Sequence, residues 1–255
     1  DEVDFSAEAS YRADGKIVYQ NWFDLILGGG FGDSYQLPSF YDLHWKDGSQ
    51  AIGDPNLLPE NSRGWNLYYK FKIAKSFFKV SCNFNEVNNL IHWYRSRYHW
   101  KPGNIGKVEI SNYEIQSEIE MFDWILASFS WQRTFAYDKS FTDDGLKSDH
   151  YGNNITYTPR SQTEVALIAT INNFEFNINY SRTGKQWSTK DNLRAPMDAY
   201  QLVGSKISYR YEKEKWLMTV FGGGNNILNE EYEVTSKTPK PGENWFSGVD
   251  LELKF

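Results

Sequence analysis

The chain has 255 residues, 17% of them aromatic, and a formal net charge of -6 at pH 7. With a mean hydropathy of -0.64 and no run of about 18 apolar residues, it is not a helical membrane protein. The acidic balance lacks a basic stripe and excludes nucleic acid as a natural partner, while a single Cys82 excludes an intramolecular disulfide.

Strand-like alternation begins at once, with Val3, Phe5, Ala7, Ala9 and Tyr11 opposing Asp4, Ser6, Glu8, Ser10 and Arg12. No basic or apolar leader precedes them, so an exported chain of this kind is expected to be mature or truncated at its front. A short turn is predicted at Ala13-Asp14-Gly15, then a strand over 17–31 and a long loop over 32–62. Trp65, Leu67, Tyr69, Phe71 and Ile73 share the face of the next strand, which turns at Lys75-Ser76 into another over 77–93. After a loop over 94–103, Tyr113, Ile115, Ser117, Ile119 and Met121 oppose Glu114, Gln116, Glu118 and Glu120. Phe122-Asp123 turns the chain into a strand over 124–136, and a long loop over 137–160 follows. Strands over 161–171 and 174–181 meet at Asn172-Asn173; those over 200–212 and 215–226 meet at Glu212-Lys213-Glu214, after a loop over 185–199. The last loop, 227–243, leads to a strand with Val249, Leu251, Leu253 and Phe255 on one face and Gly248, Asp250, Glu252 and Lys254 on the other.

The reading is all-β, about eleven antiparallel strands whose connections alternate between short and long. Short periplasmic turns, long extracellular loops, an apolar outer face and a polar lumen are what a transmembrane β-barrel requires. An odd count cannot begin and end in the periplasm, and an open edge in lipid leaves backbone groups unsatisfied at several kcal/mol each. The whole span 1–255 is therefore expected to be the carboxyl-terminal portion of a larger barrel.

Leu37-Pro38-Ser39-Phe40-Tyr41-Asp42-Leu43-His44-Trp45, followed by Gly53-Asp54-Pro55-Asn56-Leu57-Leu58-Pro59-Glu60, resembles a hallmark of TonB-dependent outer-membrane receptors. Gln36-Leu37 departs from the usual Arg-Ala, and Asp54 replaces the first Asn. Leu90-Ile91-His92-Trp93 with Trp100-Lys101-Pro102-Gly103-Asn104, Val108 and Glu109 resembles receptors akin to cobalamin transporters. Thr158-Pro159-Arg160, Asn225-Asn226-Ile227-Leu228-Asn229-Glu230-Glu231-Tyr232 and Pro241-Gly242-Glu243 follow in the family's order, Glu243 standing where Arg is usual. The resemblance implies a barrel of about 22 strands enclosing a plug, of which this chain lacks the plug and the amino-terminal half. It also implies import of a small-molecule nutrient, such as a cobalamin-like compound, an iron chelate or a glycan, energised by TonB through a segment not in this chain. Outer-membrane lipid and lipopolysaccharide would be the surroundings. A small non-transporting outer-membrane barrel and a soluble carbohydrate-binding sandwich are the alternative readings.

Candidate ligand residues are Trp93, Tyr94, Arg95, Arg97, Tyr98, His99 and Trp100, because aromatics interleaved with cations can stack on a ligand and neutralise an anion. The competing reading is an aromatic girdle with basic residues facing lipopolysaccharide phosphates. His44, His92, His99 and His150 show no metal-ligand spacing, and Asp143-Asp144 with Asp149 reads as a solvated loop tip. The Gly28-Gly29-Gly30 and Gly222-Gly223-Gly224 runs precede no helix and no Gly-Lys-Ser/Thr, so they are strand glycines that admit a close neighbour. The Glu114, Gln116, Glu118 and Glu120 row reads as lumen wall. No catalytic residue, cofactor or metal is expected.

Overall fold

The computed structural model describes residues 13–20, 23–48, 51–96 and 99–253. In chain order the elements are β1 (Ala13–Gln20), β2 (Asp24–Gln36), α1 (Phe40–His44), β3 (Lys46–Asp47), β4 (Ala51–Ile52), β5 (Glu60–Ile73), β6 (Ser76–Arg95) and β7 (Trp100–Phe122). They continue with β8 (Ile125–Asp138), β9 (Ser161–Ile171), β10 (Phe174–Thr183), β11 (Tyr200–Lys213), β12 (Trp216–Asn225), β13 (Glu233–Thr235), β14 (Thr238–Pro239) and β15 (Asn244–Leu253). Eleven strands form one antiparallel meander in the order β1-β2-β5-β6-β7-β8-β9-β10-β11-β12-β15. Among the described residues no ladder joins β1 to β15, so closure is not shown. No helix there is long and apolar enough to cross a membrane.

The first hairpin differs from expectation. Asp14 and Gly15 lie inside β1 opposite Gly30 and Gly29, and the chain reverses between Gln20 and Asp24, so the strand expected over 17–31 is two strands. The β-branched Ile17-Val18 pair carries the strand past the Asp-Gly signal. The strand expected over 3–11 lies outside the described residues, as does Phe255.

Elsewhere the alternating connections stand. Ile73 pairs with Ser76, Phe122 with Ile125, Ile171 with Phe174 and Lys213 with Trp216, each across a two-residue turn. Ala74, Asn172 and Glu214 enter three of these turns with left-handed φ of 49°, 54° and 52°.

Register makes the two faces continuous, because directly paired residues point the same way. Tyr69, Val80, Ile115 and Trp131 form one apolar row across β5 to β8. Ala127, Leu167 and Ile178 form another, and Tyr209, Val220 and Val249 a third. On the opposite face Ser81 donates to Glu114 at 3.1 Å, Gln116 donates to Glu114 at 2.8 Å, and Lys75 meets Glu120 at 2.8 Å. The predicted row of acids and amide is thus knitted into the polar face.

The glycine runs also find their reason. A Cβ on Gly28 would fall 2.2 Å from the Tyr68 ring directly opposite, and one on Gly223 would fall 2.7 Å from the Phe246 ring directly opposite. These aromatic rings lie flat over facing glycines, filling the surface a side chain would have covered.

A spanning strand needs about 9–11 residues, but β6 has 20 and β7 has 23. Their excess projects beyond the wall at the long-loop end, where the packed core sits. Ile105, Val108, Ala136 and Ile155 form it, with Leu90 and Ile110 against them. Ile105 and Val108 are three residues apart yet share this cluster, so the two-residue alternation breaks between them. The break coincides with Asn89, whose φ is 58°, while the ladder keeps its register from Asn88–Lys107 to Leu90–Ile105. Even-numbered residues of β6 therefore face outward up to Asn88 and inward from Leu90.

Candidate functional site

The long-loop end is assembled from the motif segments. Ser39 and Asp42 form a reciprocal capping box at α1: Asp42 N–H donates to Ser39 Oγ at 3.1 Å, and Ser39 N–H donates to Asp42 Oδ2 at 3.0 Å. The other oxygen of Asp42 accepts the indole N–H of Trp93 at 2.7 Å. Asp54 accepts from the Asn56 N–H at 2.9 Å, a task that an Asp or Asn side-chain oxygen performs equally, so its departure from the motif keeps the turn. Asn104 makes three bonds: it accepts from Leu58 N–H at 2.7 Å and donates to Leu58 O at 2.9 Å and to Asn89 O at 2.7 Å. Glu60 accepts from Ile91 N–H at 2.5 Å. The segment ahead of β5 is thereby clamped to the projecting β6–β7 hairpin.

The late motifs meet each other. Asn226 exchanges bonds of 2.9 Å with the backbone of Glu230, and Asn229 accepts from Glu243 N–H at 3.1 Å. A Cβ on Gly242 would lie 2.3 Å from the Asn229 oxygen, so the Pro-Gly of the second motif leaves room for the Asn of the first.

Two loops then cover the inward side of the hairpin. Asn192 ties them together, accepting from Asn154 N–H at 2.6 Å and donating to Asn154 O at 3.2 Å. Asn153 donates to Lys190 O at 2.9 Å and Tyr157 N–H to Trp187 O at 2.7 Å. Beneath them is a cavity of about 550 Å³ whose lining includes Tyr94, Arg95, Tyr157, Lys190, Arg194 and Lys237. Lys190 Nζ stands 3.4 Å from the centroid of Tyr94, and Lys101 Nζ stands 5.5 Å from it on the same ring. Burial lowers the Lys190 pKa; Asp138 opposes that shift and Lys101 adds to it. Burial raises the Tyr157 phenol. Asp191 is the one acid among these lining residues, against the four cations Arg95, Lys190, Arg194 and Lys237. The cavity is an aromatic-walled, cationic chamber.

A smaller cavity of about 210 Å³ adjoins it, sharing His150, Thr156 and Lys190. His92 reaches the shared wall through a 2.7 Å bond between its Nε2 and Oγ1 of Thr156, which lines both cavities. Burial first, and Lys190 second, lower the His92 pKa from 6.5 to about 4. Between these values the opened loop binds a proton that the closed loop excludes. The closed form therefore has its full advantage above about pH 7 and loses it as pH falls toward 4, by up to about 3 kcal/mol. Hydrogen exchange of residues 154–158, corrected for intrinsic rates, should show protection at pH 7.5 and strong loss at pH 4.5. Unchanged protection would exclude His92 as the cause.

The predicted ligand residues are thus distributed. Tyr94 and Arg95 line the larger cavity, and Trp100 packs 5.8 Å from Tyr157 on its wall. Trp93 points to Asp42 and packs, tilted by 49°, against Tyr41 at 5.3 Å. His99 closes the hairpin, its carbonyl accepting from Ser96 N–H at 2.8 Å. Arg97 and Tyr98 lie outside the described residues. Sequence reasoning missed Tyr157, Lys190, Arg194 and Lys237; the interleaved Lys185, Trp187, Lys190 and Arg194 were the available signal for the second loop. Among the described residues no three His, Cys, Asp or Glu side chains gather to hold a metal.

Comparison with known proteins is consistent across sequence and fold. The family described as TonB dependent receptor-like, beta-barrel, matches residues 3–227. The vitamin B12 transporter BtuB of Vibrio vulnificus is 22% identical over 265 aligned positions, covering 98% of this chain and 40% of that protein. The ferric enterobactin receptor PfeA of Pseudomonas aeruginosa, solved as a mutant, superposes with a TM-score of 0.67 at 14% identity, over 95% of this chain and 40% of its own. BauA, the ferric preacinetobactin receptor of Acinetobacter baumannii, gives 0.69 at 10% identity, over 96% and 36%. The chain spans about 40% of the length of the curated relative it matches.

Proposed function

The chain belongs to the TonB-dependent receptor-like β-barrel family, and from that membership we propose that it forms the carboxyl-terminal wall of a nutrient-uptake receptor. Its setting is the outer membrane, with the apolar face toward lipid, the short turns periplasmic and the long loops extracellular. The family transports rather than catalyses, in keeping with the expected lack of enzymatic chemistry. Neither a small closed pore nor a soluble carbohydrate-binding sandwich finds support in the comparisons. The polar face, with the amide row Asn66, Asn83 and Asn112 across β5, β6 and β7, suits contact with an enclosed plug. TonB would act through that plug, and the amino-terminal half of the barrel would complete the wall.

The observation that carries the ligand reading is the cationic chamber of Tyr94, Arg95, Tyr157, Lys190, Arg194 and Lys237. Four cations against one acid favour an anionic, flat or aromatic small molecule, of which an anionic metal chelate is one kind. In this reading Tyr94 and Arg95 contact ligand directly, Trp100 supports Tyr157, and Trp93 holds the hairpin upright. Equilibrium binding by the complete receptor should be measured with an anionic ferric chelate, cobalamin and a neutral glycan. Replacing Lys190→Glu together with Arg194→Glu is expected to weaken the anionic chelate at least about 10-fold, the loss of one charge-assisted contact or more. An unchanged affinity for every bound compound would remove this chamber from the function.

A further inference from the structure

The smaller cavity, of about 210 Å³, carries two wall groups that nothing in the chain answers. Ser148 Oγ and His150 Nδ1 are both shut off from solvent, and among the described residues neither has a hydrogen-bond partner. The wall around them is held in place without their help. Asp138, only 9% exposed, is fixed through its backbone, which donates to Asn153 O at 2.9 Å and accepts from Gly152 N–H at 2.7 Å. Its Oδ1 accepts from Ser140 N–H at 2.8 Å. Ser140 Oγ in turn accepts from Lys107 N–H at 3.1 Å. Buried polar groups nearly always find a partner, so two unanswered ones in a single wall point to something that enters the cavity.

Size and charge select what enters. At roughly 30 Å³ for each water-sized group, the cavity takes about seven. Ile105 and Ile155, both members of the packed core, line it and suit a short carbon stem. Asp138 and Lys190 also line it, and the Asp138 carboxylate acts on the Lys190 ammonium. An arm bearing one full charge is therefore drawn to one of the two and repelled by the other. A carboxamide or a hydroxyl presents a donor and an acceptor together, and Ser148 and His150 can each take either role. The Asp138 carboxylate has room for a donor beyond the one from Ser140. Thr156 and Lys190 belong to both cavities, so an arm placed here is continuous with a body held in the larger chamber.

We propose that the smaller cavity is a second compartment of the ligand site, where Ser148, His150 and Asp138 receive a short neutral arm ending in a carboxamide or hydroxyl. The proposal rests on the assignment of the larger chamber to ligand. The complete receptor should be titrated with propionamide, propionate and propylammonium, with saturable binding read by ligand-observed saturation-transfer NMR. Propionamide is expected to bind best of the three, and at least about 10-fold more weakly to the Ser148→Ala/His150→Phe double variant, which lacks both unanswered groups. Asp149→Asn, at the exposed residue between them, should bind it unchanged. Exchange protection of residues 154–158 equal to that of the unaltered receptor shows that the double variant keeps its loop closed; if it does not, Ser148→Ala alone decides, with about a 3-fold loss expected. No saturation by propionamide, tighter binding of either ion, or no loss in the variants would overturn the compartment and leave ordered water as the partner of both groups. Two anionic ferric catecholates, alike except for a carboxamide-ended arm on one and an alkyl arm of equal length on the other, test its link to the chamber. The amide-bearing chelate should bind about 10-fold tighter, and equal affinities would overturn the link. If neither chelate binds while propionamide saturates, the compartment is upheld and the chamber is refuted as an anion site.

Discussion

Leu167→Arg should destabilise the folded receptor in lipid by about 2–4 kcal/mol, the penalty for a cation on the lipid face near the bilayer midplane. Leu167 lies at the centre of the outward row of β9, directly between Ala127 and Ile178. Glu164→Arg, three residues away, should change stability little. Glu164 faces the opposite side between Ser130 and Ser181, where a charge keeps its water. The pair separates facing from charge, since both variants introduce the same side chain into the same strand. Urea unfolding of the complete receptor in phosphatidylcholine vesicles provides the measurement. Equal losses for the two would refute the facing of the whole sheet, because register links every strand's faces to those of its neighbours.

The second large effect belongs to Asn104. Its side chain satisfies one N–H and two carbonyls of Leu58 and Asn89, and Asn104→Ala leaves all three without that partner. Loss of such bonds costs about 1–3 kcal/mol when the remaining groups stay sheltered. The effect should be local, because the segment ahead of β5 is joined to the hairpin here rather than through the wall. Exchange protection at residues 57–60 is expected to fall by about 10- to 100-fold, while that of β9 and β10 stays unchanged. Asn56→Ala, which removes only a bond within its own turn at 3.2 Å, should leave protection nearly intact. A uniform loss across the sheet would mean that Asn104 supports the whole fold rather than one clamp.

These two residues mark the limits of what could be read from the chain. The facing of Leu167 was legible because β-strands repeat every two residues, and a face in lipid must be apolar along its whole length. The antiparallel strands from β5 onward and their alternating connection lengths followed from the same constraint. The first hairpin was displaced because Asp14-Gly15 is a good turn signal locally, whereas β1 pairs with β2 through it. Turn chemistry permits reversal; pairing decides where it happens.

The role of Asn104 was visible only as a motif position, since its partners are 46 and 15 residues away. The same holds for Trp93 and Tyr94, adjacent in sequence and committed to different surroundings. Had alternation continued unbroken through β6, His92 and Tyr94 would have pointed outward with Phe78, Val80 and Phe84. The left-handed backbone at Asn89 reverses the parity, so Tyr94 meets Lys190 beneath the loops. One left-handed residue is not encoded in hydrophobic periodicity, and Asn tolerates it without requiring it.

By itself, then, the sequence determined the class of wall: its antiparallel strands, its two faces and the sorting of its loops. Each follows from short-range periodicity imposed by lipid on one side and water on the other. Tertiary structure alone decided the chamber, because Tyr94, Tyr157, Lys190 and Lys237 come from four separated stretches of the chain. Their convergence depends on the projecting β6–β7 hairpin, the parity change within it and the asparagine ties between loops. Those are long-range contacts, and no local pattern records which distant residue will answer them.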